Sequence, residues 1–143
     1  MLRAALTTDL DATTLHDILK LRSEVFVVEQ ACAYLDIDGR DAEPDCVQLW
    51  ITDEVSGAVI ATARILHDAD GRARIGRVVT AANARRRGLG ATIMRAALER
   101  IGDGPVVIAA QSQLVDWYAQ LGFVPTGKTW VEDDIPHTEM LRA

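Results

Sequence analysis

The stretch Arg85-Arg86-Arg87-Gly88-Leu89-Gly90 decides how the rest of this chain is read. It follows a β-like run, Arg72 to Thr80. It opens a segment in which Leu89, Ile93, Ala96, Ala97 and Ile101 mark one face of a helix. At such a junction the first N–H groups of the helix lack partners, and the helix dipole presents its positive end. Gly88 and Gly90 carry no Cβ, so a ligand can approach the main chain closely. Three arginines add fixed charge and a two-pronged reach toward phosphate oxygens. Six of the thirteen arginines lie between Arg72 and Arg87, concentrating positive charge in an otherwise acidic chain. The physical product is a cradle for a pyrophosphate. Taken alone, the hexapeptide is equally compatible with a solvated surface turn. It is not a dinucleotide fingerprint, because Thr92 and Ile93 follow where a third glycine is required.

Working outward, Leu2 to Leu6 reads as a first strand. A helix follows, with Thr14 as N-cap and Leu15, Ile18, Leu19, Arg22, Val25 and Phe26 in helical period. Glu29 to Asp45 is acidic and aperiodic and reads as a loop. Val47 to Thr52 and Val59 to Leu66 read as strands, with turns at Glu54–Gly57 and Asp68–Gly71. Gly102 and Gly104 end the helix that begins at Leu89. Val106 to Ala110 has the unbroken apolar character of a buried strand. Leu114, Trp117, Tyr118 and Leu121 return to helical spacing. Phe123 onward and His137 to Leu141 read as closing strands. The order β-α-β-β-β-α-β-α-β-β predicts an α/β (α+β) fold, one domain over residues 1–143, with a mixed central sheet flanked by helices.

The chain has 143 residues and a formal net charge of −6. That length suits one domain with a core of its own. The acidic balance argues against a general nucleic-acid binder. Cys32 and Cys46 form neither a disulfide framework nor a metal-binding pattern. There is no signal-peptide pattern and no apolar run of membrane-spanning length, so the expectation is a cytoplasmic protein with free thiols.

The pattern R-x-x-G-x-G after a strand resembles motif A of the GNAT superfamily of acetyl-CoA-dependent N-acetyltransferases. Trp117-Tyr118-Ala119-Gln120-Leu121-Gly122-Phe123 is similar to the superfamily's later aromatic-Tyr-x-x-x-Gly-Phe motif. Leu21 to Gln30, Tyr34, Asp36 to Asp41 and Ile135 to Met140 resemble the ElaA-like branch. The likeness covers nearly the whole chain. It implies acetyl-CoA held in a V-shaped opening between strands, with no metal. Val78, Val79 and Thr80 would take the pantetheine arm through main-chain groups. Arg85, Arg86, Arg87, Gly88, Leu89, Gly90 and Ala91 would hold the pyrophosphate. Tyr118 would protonate the leaving thiolate, a role that suits a phenol of pKa about 10 against a thiol of about 8.5. The resemblance also admits a homodimer. Arg86 departs from the pattern, standing where glycine is common, so its backbone conformation matters. Thr80 and Ala82 stand where Val and Pro are frequent, a conservative departure because main-chain groups do the binding, and Gln111 sits where many members carry Asn.

An amine acceptor must lose a proton before it attacks. Many GNAT enzymes carry a glutamate on the strand before motif A, but Arg74 to Thr80 contains no acid. Candidate bases are therefore His137, with a suitable intrinsic pKa, Glu29 at the end of the first helix, and Asp38. Water is a further carrier. The acidic residues 36 to 45 and 132 to 134 are either solvated loops or a mouth that favours a cationic amine, small molecule or peptide. A calcium loop is not expected, because Asp41 occupies the glycine position. Gly122 to Thr129 matches the Walker A letters, but a helical stripe precedes it and no helix is expected after Lys128. A covalent acetyl-cysteine route through Cys32 is disfavoured, since no His is adjacent in sequence.

Overall fold

In the computed structural model, which describes residues 1–143, seven strands form one sheet in the order β1-β2-β3-β4-β5-β7-β6. The strands are β1 (Leu2–Leu6), β2 (Val47–Thr52), β3 (Val59–His67), β4 (Ala73–Thr80), β5 (Val106–Gln111), β6 (Val124–Glu132) and β7 (Ile135–Arg142). The helices are α1 (Ala12–Arg22), α2 (Leu89–Ile101) and α3 (Val115–Ala119). The element order is the one the sequence predicts.

Alternation along the central strands covers both faces of the sheet. Leu49, Ile51, Ala63, Ile65 and Ile75 join Ile93, Met94 and Ala97 of α2 in the main core. Gln48, Thr62 and Arg64 point to the other face, where α1 lies, and are buried there. Phe123, placed by the turn after α3, and Met140 of β7 close the far end of the core.

α1 departs from its sequence reading at both ends. Its N-cap is Asp11, whose carboxylate accepts the Thr14 N–H at 2.7 Å; Thr14 lies inside the first turn. An aspartate can reach the third helical N–H from the preceding extended residue, which is the better cap geometry. Beyond Arg22 the helix widens into a π-helical segment, Ser23–Glu29, a rare form that is frequent at functional sites.

Two features open the sheet. Across from Thr62 and Arg64, β4 carries one extra residue, because Thr62 pairs with Val79 and Arg64 with Gly76. The bulge places Arg77 at φ 52°, a left-handed conformation uncommon outside glycine. Next, the parallel β4–β5 pairing lasts for only Ala73–Val106 and Arg74–Val107. Past these pairs the strands part, while β5 stays bonded to β7 through Gln111–His137. The β5-facing edge of β4 from Ile75 to Thr80 is left without a strand partner.

The Walker-like letters form no nucleotide loop. Gly122 follows α3, and Lys128 lies within β6 with its ammonium over the Trp130 ring. The acidic loop is also unlike its sequence reading. Asp36 and Asp41 are buried, and Asp38 is part-buried. They are neutralised by Arg22, Arg64 and Arg77. Those carboxylates are neither a solvated surface nor a free acidic mouth. An arginine at an apolar-stripe position of α1 was the available signal for this internal pairing.

Candidate active site

A cavity of about 940 Å³ fills the parting between β4 and β5. Its walls include Val78, Val79 and Thr80 of β4, Ile108 and Gln111 of β5, Trp117 and Tyr118 of α3, and Phe26 and Glu29 of the π-helical segment. A smaller cavity of about 250 Å³ adjoins it, lined by Arg86, Gly88, Leu89, Gly90 and Ala91. Thr80, Arg85 and Trp117 belong to both, so the two spaces form one path from the splayed strands to the start of α2.

The arginine-glycine turn is built as its residues suggest. Gly88 takes φ 71° and precedes α2, and no side chain caps this helix. The first helical hydrogen bond runs from Thr92 N–H to the Gly88 carbonyl. The N–H groups of Leu89, Gly90 and Ala91 therefore remain for a ligand. A Cβ on Gly90 would lie 3.5 Å from the Trp117 ring, which packs over the turn. Arg86, standing where the family resemblance leads one to expect glycine, has a left-handed backbone at φ 68°. Arg87 lines neither cavity; its guanidinium donates to the Asn83 carbonyl at 3.4 Å.

Tyr118 lies at the wall where α3 meets the sheet. Its ring is held edge-on between Trp117 and Phe123, with centroids 4.9 and 6.2 Å away. The residue is 9% exposed and lines the cavity, and its hydroxyl makes no hydrogen bond within the chain. Burial pushes the phenol up to about 12, because the phenolate loses hydration there.

His137 faces the same space from β7. Its Nδ1 lies 2.8 Å from the Ile135 carbonyl, and its ring stacks on Trp130 at 5.7 Å. With the Nδ1–H donating to that carbonyl, Nε2 is the lone-pair nitrogen. Glu29 is engaged elsewhere. Arg85 donates to both of its carboxylate oxygens at 2.7 and 2.8 Å and holds the carboxyl below its usual range. Asp38 lines the far wall, but Arg64 holds it at 2.8 Å and well below the usual carboxylate range. Cys32 is buried in the wall, its thiol 3.6 Å from the Gln30 carbonyl. No group of three or more His, Cys, Asp or Glu is gathered as a metal site. No helix is long and apolar enough to cross a membrane.

The structure thus brings Tyr118, His137, Glu29, Val78, Val79, Thr80 and Arg85 to one cavity, and Arg86, Gly88, Leu89, Gly90 and Ala91 to its annex. Sequence reading missed Arg77 and the role of Tyr34 in that wall. The Arg77 guanidinium lies 5.4 Å from the Tyr34 ring centroid and donates to the Asp36 carbonyl. Its Nε also sits 2.8 Å from an Asp36 carboxylate oxygen, an ion pair without hydrogen-bond alignment. Nothing in the local sequence marks the bulge that aims it.

Splayed parallel strands beside an uncapped, arginine-flanked helix start have a counterpart among known proteins. A family model described as acetyltransferase (GNAT) domain matches residues 24–142. The chain belongs to the GNAT family, whose chemistry is acyl transfer from a coenzyme A thioester. Within it the chain belongs to the ElaA-like branch. Protein ElaA of Escherichia coli is 38% identical over 143 residues, covering 94% of this chain and 91% of that protein. A UPF0039 protein of Mycobacterium tuberculosis is 44% identical over 144 residues, covering 99% and 92%. The crystal structure of an acyl-CoA N-acyltransferase from Pseudomonas aeruginosa superposes with a TM-score of 0.94 at 40% identity, covering 100% of this chain and 99% of that one. The crystal structure of E. coli ElaA gives 0.92 at 34%, with the same coverage.

Proposed function

We propose that the protein is an acetyl-CoA-dependent N-acetyltransferase in which an amine attacks the thioester directly, within one ternary complex. The observation that carries this reading is Tyr118: a neutral phenol, without a partner in the chain, in the wall of the cavity between the splayed strands. When bound, acetyl-CoA supplies an activated acyl group and a thiolate as leaving group. The residues present suit that cosubstrate. The unpaired edge of β4 at Val78 to Thr80 offers main-chain groups to the amides of a pantetheine arm, much as an added strand would pair. The N–H groups of Leu89, Gly90 and Ala91, with Arg85 and Arg86, suit a pyrophosphate. Tyr118 Oη holds a proton across the working pH range and can give it to a departing sulfur. His137, in the wall of the same cavity, would receive the acceptor's proton at Nε2, directly or through water.

The cavity rim supports a cationic amine as acceptor. Glu132, the last residue of β6, and Asp133, in the turn to β7, line the cavity and form no ion pair, although Glu132 accepts from Trp130 Nε1 at 3.4 Å. The nearby Asp36 and Asp38 are already neutralised. An ammonium group, on a small molecule or a peptide, would find these two carboxylates at the mouth.

Incubation with acetyl-CoA and an amine panel, with free thiol as the readout and calorimetry for acetyl-CoA binding, tests the reading. Thiol release with at least one amine is expected. Neither binding nor release would refute it. A second reading, a non-catalytic acyl-CoA sensor, is favoured by one observation: β4 carries no carboxylate, and Glu29 is tied to Arg85. Tight binding with no thiol release on any amine would select it.

Two variants refine the assignment. Arg85→Ala is expected to weaken coenzyme A binding about tenfold, the loss of one charge-assisted contact to phosphate. Unchanged affinity by calorimetry would remove Arg85 from the cradle. Cys32→Ser is expected to retain turnover within about twofold, because the Cys32 thiol is hydrogen-bonded to the Gln30 carbonyl and not to a histidine or carboxylate. Loss of activity without loss of folding would reopen a covalent route.

A further inference from the structure

Arg85 lines both the large cavity and its phosphate-sized annex, yet both of its Nη groups are already engaged by Glu29. Nη1 and Nη2 form a fork on the two oxygens of Glu29, at 2.7 and 2.8 Å. Nε donates separately to the Thr80 carbonyl at 3.2 Å, which anchors the guanidinium at the end of β4. The fork can therefore change partner while the side chain stays hinged.

Glu29 is the last residue of the π-helical segment, and Gln30, next to it, reaches across the opening. Gln111 of β5 donates to the Gln30 side-chain oxygen at 3.5 Å. Residues 29 and 30 thus strap the mouth between β4 and β5, one end tied to each side. A planar fork binds carboxylate and phosphate with the same geometry. The Glu29–Arg85 pair is about two-fifths exposed on each side chain, so it is a weak holding contact. A pyrophosphate brings more charge and has the N–H groups of the α2 start to share.

Resting on the acyl-CoA reading above, we propose that Glu29 and the cosubstrate's pyrophosphate are alternative partners of Arg85, so that cosubstrate binding releases the Glu29 carboxylate into the cavity. The strap loosens as its β4-side tie is exchanged. A carboxylate then becomes available to an incoming amine only when the donor is in place. This supplies, after binding, the acid that β4 itself lacks.

A double-mutant cycle read by calorimetry with coenzyme A tests the exchange. Glu29→Gln is expected to tighten coenzyme A binding about two- to fivefold, because an exposed competing pair is removed. The same change in an Arg85→Gln background is expected to have no effect. In the wild-type protein, the Glu29 side-chain carboxyl carbon resonance is expected to move when coenzyme A saturates the site. Unchanged or weaker binding by Glu29→Gln, equal tightening in both backgrounds, or an unmoved resonance overturns the exchange. Failure of the wild-type protein to bind coenzyme A overturns the acyl-CoA reading itself. Both side chains lie at the surface, so folding of the variants is not at issue.

Discussion

Replacement of Tyr118 by phenylalanine is expected to lower turnover by about a hundredfold or more while leaving coenzyme A affinity within about twofold. The substitution removes one oxygen and nothing else. That oxygen has no hydrogen-bond partner in the chain, and the ring's contacts with Trp117 and Phe123 are kept. Melting temperature is therefore expected to stay the same or rise slightly, which separates a chemical loss from a structural one. The raised phenol has a second consequence. With its pKa pushed up to about 12, Tyr118 stays protonated well above neutrality. The pH profile below pH 10 should then contain no limb from its ionisation. The same burial makes it a weaker acid than a free phenol, so its proton is harder to give. The effect of removing it is placed at the lower end of the usual 10²–10⁴ range for this reason, at about 10². Full turnover by Tyr118→Phe would assign the proton to water.

The regular part of this fold was legible because strands and helices announce themselves by period. β1, β2, β3 and α2 lie at, or within a residue of, their sequence-read bounds. The arginine-glycine turn was legible as a helix start for a different reason. Glycine, arginine and a helix start carry their chemistry in local sequence, without help from the tertiary structure. What escaped was non-local. Whether Asp41 meets solvent or an arginine depends on Arg22 and Arg64, distant in sequence and brought together only by the sheet. The Arg77 bulge depends on a register mismatch between two strands, which no single-strand pattern reveals. Glu29 shows both limits. Its place at a helix end was readable, but its partner, 56 residues away, was not.

The internal charge cluster carries the largest expected effect on stability. Asp41 is 7% exposed and Arg22 is 1% exposed. Asp41 accepts from Arg22 at 2.7 and 3.1 Å, from Gln48 at 2.8 Å and from Arg64 at 3.1 Å. Asp41→Ala leaves two buried guanidinium groups short of an anion, and Arg22→Ala takes from Asp36 and Asp41 one of the two arginines that neutralise each of them. Each is expected to destabilise by about 3–5 kcal/mol in denaturant titration, the usual result of breaking a buried pair from one side. A loss below about 1 kcal/mol would mean that water reaches the cluster. Replacing both partners by apolar residues, Arg22→Met with Asp41→Leu, is expected to cost less than the sum of the single variants. The pH dependence follows from the carboxylates. Burial raises Asp41, but Arg22, with Gln48 and Arg64, outweighs it, so the folded carboxyl lies below its usual value. Hydrogen bonding from Arg64 lowers Asp38 further. A depressed folded pKa gives stability that is complete above the unfolded value, about 3.9, and lost as pH falls through the folded one. Acid unfolding is therefore expected to set in below about pH 4 in the wild-type protein, with a shallower slope in Asp41→Asn. Function should follow, because Asp36 and Asp38 tie the Cys32–Asp38 segment to Arg77 of β4, and Cys32, Tyr34, Leu35 and Asp38 line the cavity. Asp41→Asn is thus expected to raise the acceptor KM more than it lowers kcat. The reverse split would mean that the cluster supports the chemistry of the site and not acceptor binding.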